Sequence, residues 1–439
     1  MNSDTKAAPD AQGGVMAWLI WLIAGLSFGY AFFHRVAPSV MVSDLMMEFT
    51  IGGAMLGTLS ALYFYPYVLL QVPLGALLQG FGTRLLLSGA LALAAAGSFL
   101  FGIADSLWLA YFARILIGIG CSVGFLGSLA LATQWHPPHR YALLAGLSMF
   151  MGMMSGMLAQ KPLAFLIELA GWRHTMFMLA IAGLGFAVLV GVCVRNSPDD
   201  FSKQKTHHKG GKSSVDWAGL WRDLNIVLKR RDVWKIAFVA AAMSGPMLTL
   251  GALWGTPYAM QAYGLSRPDA AFQMSWLLLG WAAGAPFWGW FCARIGRLKL
   301  VLVVNMLLLC IWLAVIIFIA SLSASLFTII AFLIGFTGGA MTACFGLVRQ
   351  NMPALYVGAA TGVVNSLTVA SGAVLQPLVG LGLDLLWSGS DLSGTPAYQA
   401  SDYRLAFSVI LISCLAGLGV AIFLEKEKSG QSDSISKKA

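Results

Sequence analysis

The sequence predicts an all-α membrane protein with twelve transmembrane helices in two pseudo-symmetric six-helix halves. Three observations support this prediction: few charged residues, apolar runs of membrane-spanning length, and motifs that recur about 215 residues later. Only 10% of the 439 residues are charged and 59% are apolar. Soluble proteins carry about 25% charged residues, so the composition excludes a soluble globular protein.

The apolar runs divide the chain into spans and connecting segments. A helix needs about 20 residues to cross a bilayer, and the twelve runs of that length cover residues 16–43, 53–78, 84–104, 107–133, 140–168, 173–194, 233–260, 270–293, 298–321, 324–348, 355–386 and 402–425. The predicted units are a tail at 1–15, a first half at 16–194, a polar loop at 195–232, a second half at 233–425 and a tail at 426–439. The end of the loop, 216–231, is expected to form an interfacial amphipathic helix.

The two halves share motif positions. Four positions of the first half return in the second at offsets of 214 to 217 residues: Gly75 with Gly289, Gly82 with Gly296, Gly118 with Gly335, and Gln160 with Gln376. A near-constant offset across six spans is the mark of an internal repeat, here with an axis along the membrane normal.

The distribution of Lys and Arg predicts the orientation. If both termini are cytoplasmic, 21 of the 27 basic residues lie on that side and three on the other. Short cytoplasmic loops carry an excess of Lys and Arg. We therefore expect a bacterial cytoplasmic (inner) membrane protein with both termini and the 195–232 loop inside. The net charge of +9 is explained in this way, without a nucleic-acid partner.

Several motifs resemble those of the major facilitator superfamily, and the resemblance covers the whole chain. The loop from Gly75 to Arg84 resembles the family's glycine-rich, basic loop after the second span, and Gly289 to Arg297 is its second copy. Both copies lack the family's acidic residue, with Gln79 and Ala293 in its place. The resemblance assigns gating roles to Gly75, Gly82, Arg84, Gly289, Gly296 and Arg297.

Spans two and four add to the resemblance. Residues 60–75 of span two are similar to the organic-anion symporters of the superfamily, and Arg114 and Gly118 match its Arg-x-x-x-Gly motif in span four. The resemblance implies a secondary transporter that works by rocker-switch alternating access, with its solute site between the halves. For Arg114 it leaves open support of proton coupling, helix packing or substrate contact.

Arg35 is the central candidate for binding the solute. It lies well inside the first apolar run, where a charged side chain costs at least about 2.5–3.5 kcal/mol and usually faces a bundle interior or a wet cavity. Its planar guanidinium suits a carboxylate or phosphate. The alternative is a packing role, in which Arg35 pairs with Asp44 or with backbone carbonyls.

Further solute-binding candidates are polar or aromatic residues that share a helix face in other spans. They are Tyr63, Tyr67 and Gln71 in span two, Gln160 and Lys161 in span five, Trp254 and Tyr258 in span seven, and Asn365 and Gln376 in span eleven. Packing inside the bundle is the alternative for the aromatic residues. For Lys161 it is snorkelling to the outer interface.

The sequence places no Asp or Glu deep in any span. Proton coupling is therefore expected to use a carboxylate at a span end, such as Asp44, or His34, whose charge can change near neutral pH. The cation beside His34 disfavours its protonation, so packing is the alternative for this residue.

The resulting functional prediction is a proton-coupled transporter of a small anionic or carboxylate-bearing metabolite. A uniporter or anion exchanger, a drug or siderophore efflux pump, and a non-transporting receptor remain alternatives. We expect a monomer in the lipid bilayer with no cofactor and no metal. No enzyme motif stands out, since the sequence has no phosphate-binding loop and no HExxH.

Overall fold

The computed structural model describes residues 14–198, 217–389, 391–392 and 395–424. The helices of the first half are α1 (Val15–Val36), α2 (Val42–Phe49), α3 (Gly53–Ala61), α4 (Phe64–Phe81), α5 (Thr83–Gly102), α6 (Leu107–Cys121), α7 (Gly124–Trp135), α8 (Tyr141–Leu158) and α9 (Lys161–Cys193). Those of the linker and second half are α10 (Trp217–Leu228), α11 (Arg231–Pro246), α12 (Gly255–Tyr263), α13 (Arg267–Ile295), α14 (Leu298–Phe318), α15 (Ala324–Gly338), α16 (Thr342–Asn351), α17 (Val357–Leu386), α18 (Ala400–Ala406) and α19 (Ser408–Ile422).

Helices occupy all twelve predicted span positions, and ten of the described segments are long and apolar enough to cross a membrane. The remaining two positions correspond to α13, which is rich in Gly, Ala and Trp, and to the region of α8. The fifth and sixth spans meet inside α9, where Gly171 has a φ of 79° and breaks the helical geometry. Glycine accepts this left-handed φ at no steric cost.

Several spans are interrupted, and the interruptions recur in both halves. The first span changes to a 3-10 turn at Ala37–Val40, and the seventh to a π-helical stretch at Met247–Trp254. The fourth span breaks between α6 and α7, and the tenth at the 3-10 turn Gly339–Met341. Prolines contribute to the first pair, since Pro38 and Pro246 cannot donate a helical hydrogen bond. The repeat seen in the sequence is therefore also present in the irregular backbone.

Helix α10 confirms the helix expected near residues 216–231. It packs against α11 and α17, with Leu224 and Val227 buried and Trp221 exposed. The rest of the predicted loop, the 1–13 segment and the 425–439 segment lie outside the described residues. Unlike the prediction, the loop before α18 contains a short antiparallel pairing of Asp391–Leu392 with Thr395–Pro396.

The two halves are joined tightly at the outer end, the end opposite the chain termini. Asp384 of α17 accepts hydrogen bonds from the backbone N–H groups of Gly53 (2.7 Å) and Ala54 (2.9 Å) at the start of α3. The Tyr398 hydroxyl bonds to the same carboxylate and lies 2.7 Å from the Gly53 nitrogen. These contacts occupy N–H groups that a helix start otherwise leaves without partners.

Small residues let α3 and α17 approach along their backbones. A Cβ atom on Gly380 would lie 2.1 Å from the carbonyl oxygen of Gly53, and one on Gly57 would lie 2.5 Å from that of Gln376. Toward the terminus side, the α4–α17 hydrogen bonds continue to the pair formed by Gln71 and Asn365. Beyond this pair, Gly75 and Gly362 have no atom within 4 Å of a Cβ position.

Candidate anion-binding site

Arg35 lies at the end of α1, only 7% exposed, inside a group of aromatic rings. Its guanidinium carbon is 4.7 Å from the ring centre of Phe32 and 5.0 Å from that of Tyr67. The rings of Tyr63 and Phe64 are each 5.9 Å away. Such distances place the cation within reach of the ring quadrupoles, which stabilise the positive charge without neutralising it.

No carboxylate neutralises Arg35 among the residues that the structure describes, where no salt bridge involves it. Asp44, the pairing partner considered from the sequence, instead forms an ion pair with Arg267, at 2.7 Å. The Nε atom of Arg35 is buried without a hydrogen-bond partner. A buried cation with an unused donor is an arrangement that an anion can complete.

Arg114 holds together the backbone segments that position Arg35. Its guanidinium donates to the carbonyl oxygens of His34 (3.2 Å), Leu59 (3.4 Å) and Ser60 (3.3 Å). It thereby links the end of α1, one residue before Arg35, to the end of α3. Because its donors are engaged with backbone oxygens, the geometry places Arg114 in a supporting position.

Gly118 lets span four approach the break between α3 and α4. A Cβ atom at Gly118 would lie 2.3 Å from the carbonyl oxygen of Tyr63. Tyr63 donates its hydroxyl proton to the Ala31 carbonyl at 2.8 Å and stacks on Tyr67 with ring centres 6.2 Å apart. These contacts fix two of the four rings around Arg35.

His34 is fully buried beside Arg35. Its Nε2 atom lies 3.3 Å from the Ser98 hydroxyl, which also lies 2.8 Å from the Ala94 carbonyl. Its Nδ1 atom is buried without a hydrogen-bond partner. His34 is therefore packed among first-half residues next to two arginines, Arg35 and Arg114.

Helix α17 of the second half packs against Phe64, one of the rings around Arg35. A Cβ atom on Gly372 of α17 would lie 3.3 Å from Phe64 and 3.1 Å from Leu248 of the π-helical stretch. Gln71, one turn beyond Tyr67, accepts a hydrogen bond from Asn365 at 3.1 Å. Span two and span eleven thus bring Tyr63, Tyr67, Gln71 and Asn365 to the Arg35 side of the interface.

Gln160 and Gln376 both bind the π-helical stretch, although they belong to different halves. Gln376 donates to the Leu248 carbonyl at 2.7 Å, and Gln160 donates to the Gly251 carbonyl at 2.8 Å. A π-helical stretch lacks the regular bonding of an α-helix and is often found at functional sites. The Oε1 atom of Gln376 is buried without a partner.

The structure does not bring every solute-binding candidate to this place. Lys161 is half exposed at the outer end, where it pairs with Asp269 at 3.1 Å. Trp254 and Tyr258 are buried in an aromatic cluster of the second half that includes Tyr403. Trp254 donates to the Gln376 carbonyl at 3.0 Å, which ties span seven to span eleven.

The gating candidates that the loop motif supplied lie on the terminus side, either at the loops or within two helical turns of them. Gly82 has a φ of 78° and Gly296 a φ of 68°, so both end a helix in a conformation that favours glycine. Arg84 donates from its backbone N–H to Asn196 at 2.9 Å and from its side chain to the Gly191 carbonyl at 2.7 Å. Gly289 and Arg297 border an open cleft and an exposed loop, respectively.

Sequence reasoning missed Phe64 and Tyr398. Phe64 completes the ring group around Arg35 together with Phe32, which lies three residues before Arg35 and is therefore expected on the same helix face. Tyr398, which binds Asp384 and Gly53 across the halves, follows a loop with no periodic signal. Its role becomes visible only when the outer ends are assembled.

A helical bundle of two repeated halves, closed around a buried cation, defines a membrane transporter of a known architecture. The family model of the Major Facilitator Superfamily matches residues 17–277 and 236–439, so the chain belongs to that superfamily. Its members are transporters, which confirms the family and the non-enzymatic class that the sequence predicts.

Curated relatives of the chain include organic-anion transporters at low identity. The probable sulfoacetate transporter SauU of Cupriavidus necator is 23% identical over 63% of this chain and 65% of its own length. The uncharacterized transporter YybO of Bacillus subtilis is 23% identical over 56% and 54%. The probable galactarate/D-glucarate transporter GarP of Escherichia coli is 22% identical over 42% of each chain. The chain thus spans about two fifths to two thirds of the length of these relatives.

Solved structures show the same fold. A bacterial homologue of the human lysosomal transporter Spinster, in an inward-facing and occupied conformation, superposes with a TM-score of 0.75 at 14% identity, covering 93% of this chain and 96% of that one. The nucleoside transporter NupG gives a TM-score of 0.72 at 11% identity, covering 94% and 100%. These similarities concern the fold alone.

Proposed function

We propose that the protein is a secondary transporter of a small organic anion, a carboxylate or sulfonate, held by Arg35 between the two halves. The single observation that carries this proposal is the buried guanidinium of Arg35, ringed by aromatic side chains and without a carboxylate partner among the described residues. An uncompensated cation in a low-dielectric site attracts an anion strongly. Sulfoacetate and galactarate/D-glucarate, the substrates after which SauU and GarP are described, belong to this chemical class.

The contacts between the two halves support rocker-switch alternating access as the transport mechanism. Rocker-switch alternating access needs two halves that close at one end while they part at the other. The close outer contacts between α3 and α17, with open space around Gly75 and Gly362, support this motion. We place the termini and the 195–232 loop in the cytoplasm of a bacterium on the basis of the Lys and Arg distribution. Cysteines introduced into that loop should resist impermeant reagents added to intact cells.

Proton coupling is the first proposal for the energy source, and anion exchange is the second. The described spans hold no carboxylate deep in the membrane, and His34 is sealed beside Arg114. Coupling would then depend on span-end carboxylates such as Asp44 and Asp384. Uptake into proteoliposomes with and without a proton gradient distinguishes the two: exchange requires internal anion and survives an uncoupler.

The decisive test measures anion binding to wild type, Arg35→Ala and Arg35→Lys. Removing one partner of a buried charged interaction costs about 2–5 kcal/mol, so Arg35→Ala should bind roughly 30-fold to several thousandfold more weakly. Arg35→Lys keeps the charge but loses the planar guanidinium that can donate two parallel hydrogen bonds, so it should recover only part of the affinity. The panel contains sulfoacetate, glucarate, galactarate and uncharged sugars, screened by thermal shift, since a bound ligand stabilises the fold.

Lys161→Gln is the matched control, because it removes a cation from the same half but from an exposed site at the outer end. It should bind the anion as wild type does. A folded Arg35→Ala variant with unaltered affinity contradicts the proposal. A protein that binds an anion but moves none in liposomes would instead be a receptor, and preferential binding of uncharged drugs would indicate an efflux pump.

A further inference from the structure

A second cleft lies away from Arg35, on the terminus side of the second half. It has a volume of about 540 Å³ and opens between the end of α13, the start of α14 and the helix α16. Small residues, including Ala293 and Gly346, leave its floor open, while Thr342, Arg349 and Gln350 give it polar walls. The cleft therefore combines space for a ligand with hydrogen-bond donors.

Among the described residues, the charged side chains that line this cleft or lie on its loop are basic. The sequence has no Asp or Glu from residue 270 to residue 383, yet Arg294, Arg297, Lys299 and Arg349 lie around the cleft and its loop. Within the described part of the chain, none of the three arginines forms a salt bridge. Arg349 lines the cleft itself. An anion supplied from outside this region would complete the site.

The first half shows how the equivalent place is closed by the chain. There, Asn196 accepts from the backbone N–H of Arg84 at 2.9 Å, and its amide would lie 2.7 Å from a Cβ on Gly82. In the second half, a Cβ on Gly296 would meet nothing within 4 Å. At an offset of 216 residues, Gln134 returns as Gln350, whereas Thr133 is replaced by Arg349. Among the residues that the structure describes, the second copy thus has no counterpart of Asn196 beside Gly296, and it has gained a cation.

The surroundings favour a lipid as the source of the anion. Trp290 and Ile295, each next to a cleft-lining glycine, are 60% and 43% exposed. Tryptophan is enriched where a membrane protein meets the headgroup region, and basic pockets between transmembrane helices bind anionic headgroups. An acyl chain could follow the exposed apolar side chains while the phosphate enters the cleft.

We propose that this cleft binds the phosphate of an anionic phospholipid, with Arg349 as the principal contact and Thr342 and Gln350 as hydrogen-bond donors. The site is separate from the proposed solute site and does not depend on it. The family's acidic residue is missing here, since Ala293 stands in its place and lines the cleft. An acidic side chain at position 293 would pair with Arg349, which would then no longer be available to the phosphate.

The test titrates purified protein in detergent with phosphatidylglycerol or phosphatidylcholine and counts bound lipid by native mass spectrometry. Wild type should prefer phosphatidylglycerol. Each basic residue near an anionic headgroup contributes about 1 kcal/mol, so Arg349→Gln should weaken phosphatidylglycerol binding about fivefold. Ala293→Asp should weaken it at least as much, whereas the uncharged Ala293→Asn should bind more tightly than Ala293→Asp.

Arg140→Gln is the control for loss of one positive charge, because Arg140 lies on the same side of the first half. It should keep wild-type affinity, and all variants should melt within a few degrees of wild type. Two results would overturn the proposal: equal binding of the two lipids by wild type, or unchanged phosphatidylglycerol binding in both Arg349→Gln and Ala293→Asp. Displacement of the lipid by millimolar inorganic phosphate alone would overturn the lipid as the source of the anion.

Discussion

The outer ends of the two halves meet at two equivalent interfaces that are built very differently. At the α3–α17 interface, Asp384 accepts two backbone hydrogen bonds from the start of α3. The residue related to Asp384 by the repeat is Glu168 of α9, 216 positions earlier, and it is exposed. There the halves are joined by Lys161 and Asp269, whose side chains are 50% and 57% exposed.

The first residues of the opposite helix explain this difference. Helix α3 begins with Gly53 and Ala54, which offer free N–H groups to a carboxylate. Helix α13 begins with Arg267, Pro268 and Asp269. Proline has no N–H, and the Asp269 carboxylate would repel a second one. A duplicated position can therefore keep its acidic side chain and lose its hydrogen-bond partner. Equivalent positions in the sequence need not stabilise their two interfaces equally.

The largest expected effect is that of Gly380→Val. Its Cβ would lie 2.1 Å from the carbonyl oxygen of Gly53, the first residue of α3. Overpacking costs about 1–3 kcal/mol, and backbone contact places this change at the upper end. The ratio of the conformation with the outer end closed to the one with it open should fall by roughly a hundredfold. The measurement is labelling of Ser39→Cys by an impermeant maleimide, with Cys193 replaced by Ser.

Gly185→Val on α9 is the control for this prediction, because Gly185 is exposed and a Cβ there would also meet nothing within 4 Å. Its labelling should equal that of the parent protein. Equal labelling of the two valine variants would show that close backbone contact does not hold the outer end closed.

Asp384→Asn should have the next largest effect. The carboxylate accepts from two backbone N–H groups and the Tyr398 hydroxyl, and hydrogen bonds to a charged group contribute about 1.5–3 kcal/mol each. We expect the free energy of unfolding to fall by about 2 kcal/mol in total, since the amide keeps one acceptor oxygen. Glu168→Gln, its partner in the repeat, should leave the melting temperature unchanged. If both variants melt alike, the two interfaces do not differ as the structure indicates.

A smaller effect is expected for the pair formed by Asp44 and Arg267. Their side chains are 24% and 17% exposed, and the guanidinium makes contacts of 2.7 and 3.2 Å with the two carboxylate oxygens. A double-mutant cycle with Asp44→Asn and Arg267→Gln should give a coupling of about 1 kcal/mol, above the typical exposed pair. A coupling near zero would place this pair with the surface ion pairs.

The smallest effect belongs to Lys161 and Asp269. Exposed ion pairs contribute about 0.2–1 kcal/mol and are screened by salt. The cycle of Lys161→Gln and Asp269→Asn should give less coupling than that of Asp44 and Arg267, and it should vanish in 1 M salt. A coupling larger than that of Asp44 and Arg267 would reverse the order proposed for the two ion pairs.

Much of the fold could be predicted from the sequence, because bilayer thickness and the repeat leave few alternatives. The apolar runs located helices at every predicted span position, and offsets such as Gln160 to Gln376 identified the halves. The sequence predicted neither the non-helical backbone at Gly171 nor the π-helical geometry of Met247–Trp254. Hydropathy reports how apolar a segment is, but it does not report the backbone geometry within it.

The candidate site was less accessible to sequence reasoning. The intramembrane charge of Arg35 singled it out, because burying a cation is costly. The sequence left open whether it pairs with Asp44, and only the assembled halves place Asp44 against Arg267. The same limit applies to Lys161: its position in an outer span end fits either a cavity or the surface, and the partner Asp269 comes from a helix more than 100 residues away.

The two glutamines of the repeat have a consequence for the speed of the transport cycle. Gln376 binds the π-helical stretch within one half, so its bond to Leu248 can persist in every conformation. Gln160 reaches the same stretch from the other half, and its bonds with Gly251 and Thr256 must break whenever the outer end opens. Under the proposed alternating access, Gln376 sets how well the second half holds its shape, whereas Gln160 contributes to the barrier of each turnover. The same amide position therefore stabilises the second half in one copy of the repeat and limits the rate of turnover in the other.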